Sequence, residues 1–306
     1  LVDSRYTETA RLHAADTGVQ VTEITTGFWD ELDALLAKID CKILLFEDRT
    51  IAYRQYTQLQ GIFSGELRPV GNGVMDLRNV KEPWEIDLMK TANRIAEKAF
   101  LELLNDVKPG KTEKELAARF DYLMALGGSD GVSFDTILLT GAHTSMPHGV
   151  PENREVQKGD FVLFDFGATY RGYHSDMTRT VAVGSATVEM QAAYDLVLRA
   201  QLAGIQALHA GVPCKEVYQA AYDVLAAEDK AQYFRHSLGH GVGLEIHEGY
   251  NASPRSEDVY QTGNVTSVEP GIYLPDKFGI RIEDVLYLSP HGRENLSNVT
   301  KKLIVL

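Results

Sequence analysis

The stretch Phe161-Val162-Leu163-Phe164-Asp165-Phe166-Gly167, answered by His174-Ser175-Asp176-Met177-Thr178-Arg179-Thr180, decides how this chain is read. Phe161 to Gly167 and His174 to Val183 are both strand-like, with Arg171-Gly172 between them, so the spacing predicts a hairpin. If the turn folds about Tyr170 and Arg171, Asp165 and Asp176 stand opposite one another, at roughly 5 Å between Cβ atoms. Like charges facing across a ladder repel, and a bound cation removes that penalty. A second hairpin repeats the arrangement. Val265 to Leu274 and Gly279 to Leu288 are strand-like, with Pro275-Asp276-Lys277 between them. Centring that turn on Asp276 sets Glu269 opposite Glu283. A slip of one residue in either turn would send one partner to the other face.

Four carboxylates gathered this way need neutralising, and an oxygen-rich donor set favours hard divalent ions such as Mn²⁺, with room for two. Nearby, His236, His240 and His247 fall within twelve positions of a glycine-rich run, His236-Ser237-Leu238-Gly239-His240-Gly241-Val242-Gly243 to His247-Glu248. Glycines there let backbone approach a ligand closely. His148 adds a fourth candidate in the loop signal Met146-Pro147-His148-Gly149. A zincin helix is excluded, because Asn251 stands where His247-Glu248 would require a second histidine. Gly239-x-Gly241-x-Gly243 is not a dinucleotide fingerprint, and there is no P-loop.

Around these hairpins the chain is 306 residues long, with 30 Lys+Arg against 43 Asp+Glu and a formal charge of −13. The length predicts about two domains. An acidic chain does not present the basic face that nucleic acid requires, and no run approaches the ~18 apolar residues of a membrane helix. Cys41 and Cys214 stand far apart, which excludes a disulfide scaffold and a thiolate zinc site and suits a reducing cytoplasm. The opening at Leu1, without an initiator Met, reads as a truncated start. Pro83 suits the first turn of a long amphipathic helix in which Leu88, Met89, Ala92, Ile95, Ala96, Ala99, Phe100 and Leu103 recur at helical spacing. The domain boundary is placed near residue 80, giving units 1–80 and 81–306. Thr112 and Glu115 form a capping box at one helix start, and Gly211-Val212-Pro213-Cys214 opens a similar one 101 residues after Gly110. Either any α/β chain with two helix pairs would look so, or the domain is internally duplicated with its site where the halves meet.

These residues carry a resemblance, covering essentially the whole chain, to the pita-bread metallopeptidases, the family of methionine aminopeptidase, aminopeptidase P, prolidase and creatinase. Residues 81–306 resemble the catalytic domain, an α/β (α+β) fold with internal pseudo-two-fold duplication. Asp3-Ser4-Arg5-Tyr6-Thr7 resembles the later part of a creatinase-type N-terminal domain, incomplete here over 1–80. The family's five metal ligands fall, in order and type, on Asp165, Asp176, His240, Glu269 and Glu283. Their contexts are Asp-Phe-Gly, Ser-Asp-Met-Thr-Arg-Thr, Gly-His-Gly-Val-Gly, Val-Glu-Pro-Gly-Ile-Tyr and Arg-Ile-Glu-Asp.

The resemblance implies two divalent metal ions, foremost Mn²⁺, with Co²⁺, Zn²⁺ or Fe²⁺ as other occupants of such ligands. It implies Glu269 as general base, and His148 and His247 as the residues that hold the scissile carbonyl. His236, Arg281 and Tyr273 match accessory positions, in contact with substrate or supporting the ligands. The implied substrate is a peptide with a penultimate proline, and the reading favours Xaa-Pro aminopeptidase (aminopeptidase P), with Xaa-Pro dipeptidase (prolidase) as the alternative. A non-catalytic binding module of the same fold would be expected to lose ligands, and none is lost here. Family habit implies a homodimer.

Overall fold

The computed structural model describes residues 1–39 and 41–306 and divides into two units, Leu1–Val74 and Met75–Leu306. The first holds α1 (Thr7–Ala14), α2 (Phe28–Leu36), β1 (Ile43–Phe46), α3 (Tyr53–Ile62) and β2 (Glu66–Pro69). Its strands β1 and β2 pair in parallel from Ile43 opposite Glu66, the helix between them serving as the crossover that parallel strands require. The short helix α4 (Gly73–Asn79) lies across the division.

In the second unit, Pro83 occupies the first turn of α5 (Pro83–Leu103), where its missing N–H removes no helical bond. Met89, Ala92, Ala96, Phe100 and Leu103 form its buried face, as the sequence spacing predicted. α6 (Glu113–Leu126) starts at the predicted capping box: Thr112 Oγ1 accepts from Glu115 N at 3.2 Å, and the Glu115 carboxylate accepts from Thr112 N at 2.8 Å. Then come β3 (Gly131–Val132), β4 (Ile137–Thr140), β5 (Phe161–Phe166), β6 (Ala168–Tyr170), β7 (Tyr173–His174) and β8 (Met177–Ala182). The helices α7 (Val188–Ala207) and α8 (Cys214–Ala226) follow, and then β9 (Gly239–Gly241), β10 (Glu248–Ala252), β11 (Val265–Val268), β12 (Gly271–Leu274), β13 (Phe278–Arg281), β14 (Asp284–Ser289) and β15 (Gly292–Asn295).

One arrangement occurs twice. α5 and α6 bury Phe100 and Phe120 against Phe164 and Phe166 of the sheet β4-β5-β8. α7 and α8 bury Val197, Ala200, Val217 and Ala221 against Leu238, Val268 and Leu286 of the sheet β10-β9-β11-β14-β15 and its neighbours. α8 begins 101 positions after α6. The two halves join where Glu283 N donates to Thr178 O at 3.1 Å, backbone to backbone, and where the Thr180 side-chain Oγ1 donates to Arg281 O at 3.1 Å.

The two hairpins depart from the sequence reading in instructive ways. In the second, the register holds: Gly271 faces Arg281 and Val268 faces Asp284, so Glu269 and Glu283 oppose one another in the gap between the two ladders. In the first it does not. Tyr170 pairs with Tyr173, and Asp165 faces Thr178 rather than Asp176. Both Arg171 (φ 49) and Gly172 (φ 81) take left-handed backbone. That two-residue turn suits the strand twist, and it moves the fold line one residue beyond the predicted one. The shift moves Asp165's partner by two places, and side chains alternate faces with period two. Asp176, two residues before Thr178, therefore keeps the parity of Asp165 as a diagonal neighbour.

Candidate metal centre and active site

The five acidic and imidazole side chains singled out in the sequence converge where the halves join. Asp165 leaves the end of β5, Asp176 precedes β8, His240 is central in β9, and Glu269 and Glu283 occupy the gaps after β11 and β13. Donor atoms of Asp176, His240 and Glu283 lie within 4.8 Å of one another, and all three side chains are buried. His240 Nε2 is 3.5 Å from Asp176 Oδ2 and 3.4 Å from Glu269 Oε1. Asp165 Oδ1 and Glu283 Oε1 are buried oxygens with no hydrogen-bond partner. Buried carboxylate oxygens are rarely left so, because stripping their water is costly unless a donor or cation replaces it.

Charge in this cluster is badly balanced. Burial first, and then the repulsion of neighbouring carboxylates, pushes Asp176 and Glu283 well above the usual carboxylate range. Burial would also raise Glu269, but the hydrogen bond and charge of His240 outweigh it and hold Glu269 down to about 2. Burial opposes charge on His240, while Glu269 draws it the other way and prevails, so His240 is raised.

Arg281 ties the surroundings together. Its guanidinium donates to Asp165 Oδ2 at 2.5 Å, to the Tyr273 hydroxyl at 2.6 Å, to Thr178 Oγ1 at 3.1 Å and to Pro147 O at 3.3 Å. The Tyr273 hydroxyl in turn donates to His236 Nε2 at 2.8 Å, and His236 Nδ1 donates to Ser237 O at 2.7 Å. Burial lowers the His236 pKa, which agrees with the neutral ring that this bonding requires. Glu283 Oε2 accepts from Thr178 Oγ1 at 2.7 Å, leaving only its other oxygen free.

A cavity of about 410 Å³ opens on this cluster and is lined by Asp165, Asp176, His240, Glu269 and Glu283 together with His148, His236, His247 and Arg281. Tyr273 stands behind it, reached through Arg281 and His236. All the predicted site residues are therefore gathered here. The His247 and His240 rings lie 4.2 Å apart between centroids, and burial lowers the His247 pKa. The sequence reading missed Phe134, Ile137 and Ile246, which form an apolar wall, and Asp135 beside them. Their only sequence signal is an aromatic and an acid just before a strand. It also missed Glu248 as a support: buried next to His247, it accepts from Lys81 Nζ at 2.6 Å and Arg78 Nη2 at 2.5 Å, from residues far back in the chain. Among the described residues, no helix is long and apolar enough to cross a membrane.

The sequence model of metallopeptidase family M24 matches residues 87–290. A Xaa-Pro dipeptidase from Pyrococcus horikoshii is 38% identical over 239 residues, spanning 78% of this chain and 68% of the relative. Among solved structures, a Xaa-Pro dipeptidase from Bacillus anthracis superposes with TM-score 0.95 at 36% identity, over 100% of this chain and 85% of that one. An X-Pro aminopeptidase from Thermotoga maritima gives TM-score 0.93 at 36% identity, over 99% and 86%. A duplicated helix-and-sheet architecture, a buried Asp/His/Glu cluster at its junction and these likenesses agree: the chain belongs to metallopeptidase family M24 and has its pita-bread fold.

Proposed function

We propose that the protein is a Xaa-Pro dipeptidase, hydrolysing the bond between the first residue and the proline of a dipeptide. The observation that carries the reading is the intact donor set Asp165, Asp176, His240, Glu269 and Glu283, with two orphaned buried oxygens, facing a cavity lined by His148, His236 and His247. Those donors fit divalent ions, since four carboxylates and one imidazole match Mn²⁺ or Co²⁺ better than a thiolate-seeking metal. Asp165, Asp176, His240, Glu269 and Glu283 would hold those ions, with Asp176, His240 and Glu283 as the tightest group of donors. Bound there, the ions would polarise the scissile carbonyl and acidify a water enough to attack at neutral pH.

The remaining work falls to side chains. Glu269, ionised in this environment, takes the proton of the attacking water and passes it to the departing proline nitrogen. His148 and His247 line the cavity where N–H donors can meet the carbonyl oxygen as it gains charge. Arg281 has its donors committed to Asp165, Tyr273, Thr178 and Pro147. Its role is to hold Asp165 and, through Tyr273, to orient His236.

The sequence alone favoured aminopeptidase P. The similarity to dipeptidases from Pyrococcus horikoshii and Bacillus anthracis supports the dipeptidase instead, while the Thermotoga maritima structure keeps the aminopeptidase as a second reading. Rates on a Xaa-Pro dipeptide and on the corresponding Xaa-Pro-Yaa tripeptide, with Mn²⁺ added, separate them. The dipeptide is expected to be cleaved and the tripeptide to be nearly inert. Comparable cleavage of the tripeptide would establish the aminopeptidase reading.

A further inference from the structure

Outside the metal cluster, one buried acid–histidine pair has no part in the mechanism above. Glu113, in the first turn of α6, is fully buried, and His143 is buried beside it. His143 Nδ1 lies 2.9 and 3.0 Å from the two Glu113 oxygens. The same carboxylate accepts from Thr140 N on Oε1 and from Glu152 N on Oε2, both at 2.8 Å. An ionised carboxylate is a pure acceptor, so its partner nitrogen on His143 carries a proton. Glu113 also sits where a helix N-terminus favours negative charge.

What these bonds enclose is specific. Thr140 and Glu152 are the two stems of one loop, and His143 lies within it. The α6 backbone reinforces the second stem, with Glu113 N donating to Arg154 O at 3.0 Å and Lys114 N to Glu152 O at 3.2 Å. On its other side the loop is fastened to β13: Gly279 N donates to Thr144 Oγ1 at 2.7 Å, and Arg281 Nη1 to Pro147 O at 3.3 Å. The residue after Pro147 is His148, which lines the cavity. His148 itself is exposed, so the loop's anchors set its place.

We infer that Glu113 and His143 are a positioning pair that closes the loop Thr140–Glu152 and thereby aims His148 at the substrate carbonyl. The pair touches no reacting atom and acts through His148; its kinetic role rests on the reading under Proposed function. His143→Asn keeps an N–H donor near the Nδ1 position, whereas the near-isosteric His143→Leu does not. Leu is expected to lower kcat by up to about 10²-fold with KM little changed, and Asn to restore most of it. In a His148→Ala background the Leu substitution should add almost nothing, because its route of action is already gone. Separately, Glu113→Gln in the metal-free protein should speed hydrogen exchange at the Thr140 and Glu152 amides by about tenfold, the factor implied by losing a charged hydrogen bond.

The inference is overturned if Leu and Asn behave alike, if the Leu effect persists in full without His148, or if those two amides exchange at the wild-type rate. A wild-type protein that cleaves no Xaa-Pro dipeptide, but whose amides respond to Glu113→Gln as described, would sustain the clamp and defeat the functional reading.

Discussion

Glu269 has two roles in the proposed reaction, and its surroundings explain how one side chain can serve both. His240 Nε2 at 3.4 Å and Ser267 Oγ at 3.3 Å engage one oxygen, and the pKa held down to about 2 keeps the group ionised across the working range. An ionised carboxylate beside the attacking water can take its proton. Glu269→Gln preserves volume and one ligand oxygen but removes the basicity. The variant is expected to fold normally and to lose about 10²- to 10⁴-fold in kcat, the usual range for a proton-transfer group. Metal content must be measured alongside, since an amide is a weaker ligand. Wild-type turnover from a metal-replete Glu269→Gln protein would remove Glu269 from the base role. At this scale the sequence was most informative, because ligand chemistry needs particular residue types. The supports Glu113, His143 and Glu248 were invisible, since their meaning depends on partners that only the fold brings near.

Hairpin geometry turns those residue types into a cluster. The Glu269–Glu283 register came out as read because the turn does centre on Asp276, whose backbone is left-handed (φ 60). The Asp165–Asp176 register was misplaced because two candidate turn centres stand side by side, and only backbone conformation decides between them. The face survived the error because the displacement was even. What fixes Asp176 is the close passage of two chain segments at Gly167: Ala168 N donates to Ser175 Oγ at 2.9 Å, and a Cβ on Gly167 would lie 1.9 Å from Ser175 O. No carbonyl tolerates that approach. Gly167→Ala must therefore push Ser175, and Asp176 with it, away from β5. Its expected signature is a loss of metal affinity, about tenfold or more since metal sites tolerate little ligand displacement, read by titration with Mn²⁺. Unchanged affinity with a folded protein would mean that Asp176 is placed by something other than this crossing.

Over the whole molecule the consequence is a link between metal, protons and folding. Asp176 and Glu283 are raised by burial and by neighbouring carboxylates, so the folded protein holds protons that the unfolded chain releases near pH 4. Where the native state binds the extra protons, stability falls as pH rises from that point through the folded values. His240 adds to the same trend. Its raised pKa contributes stability that is present below its ordinary value near 6.5 and is lost as pH rises through the folded one. Glu269 runs the other way, but its contribution is lost only as pH falls toward about 2, far outside the range of interest. The metal-free protein should therefore lose stability as the solution becomes less acidic. Divalent ions replace those protons, and each binding event should release protons and tighten with pH. Thermal unfolding from about pH 5 to about pH 8, with Mn²⁺ and with a chelator, tests this directly. The gap in Tm between the two should widen with pH, because the ions neutralise a cluster that rising pH leaves increasingly charged. A gap that stays constant or narrows would show that the buried acids are balanced within the protein, and that the repulsion from which the metal site was argued is absent.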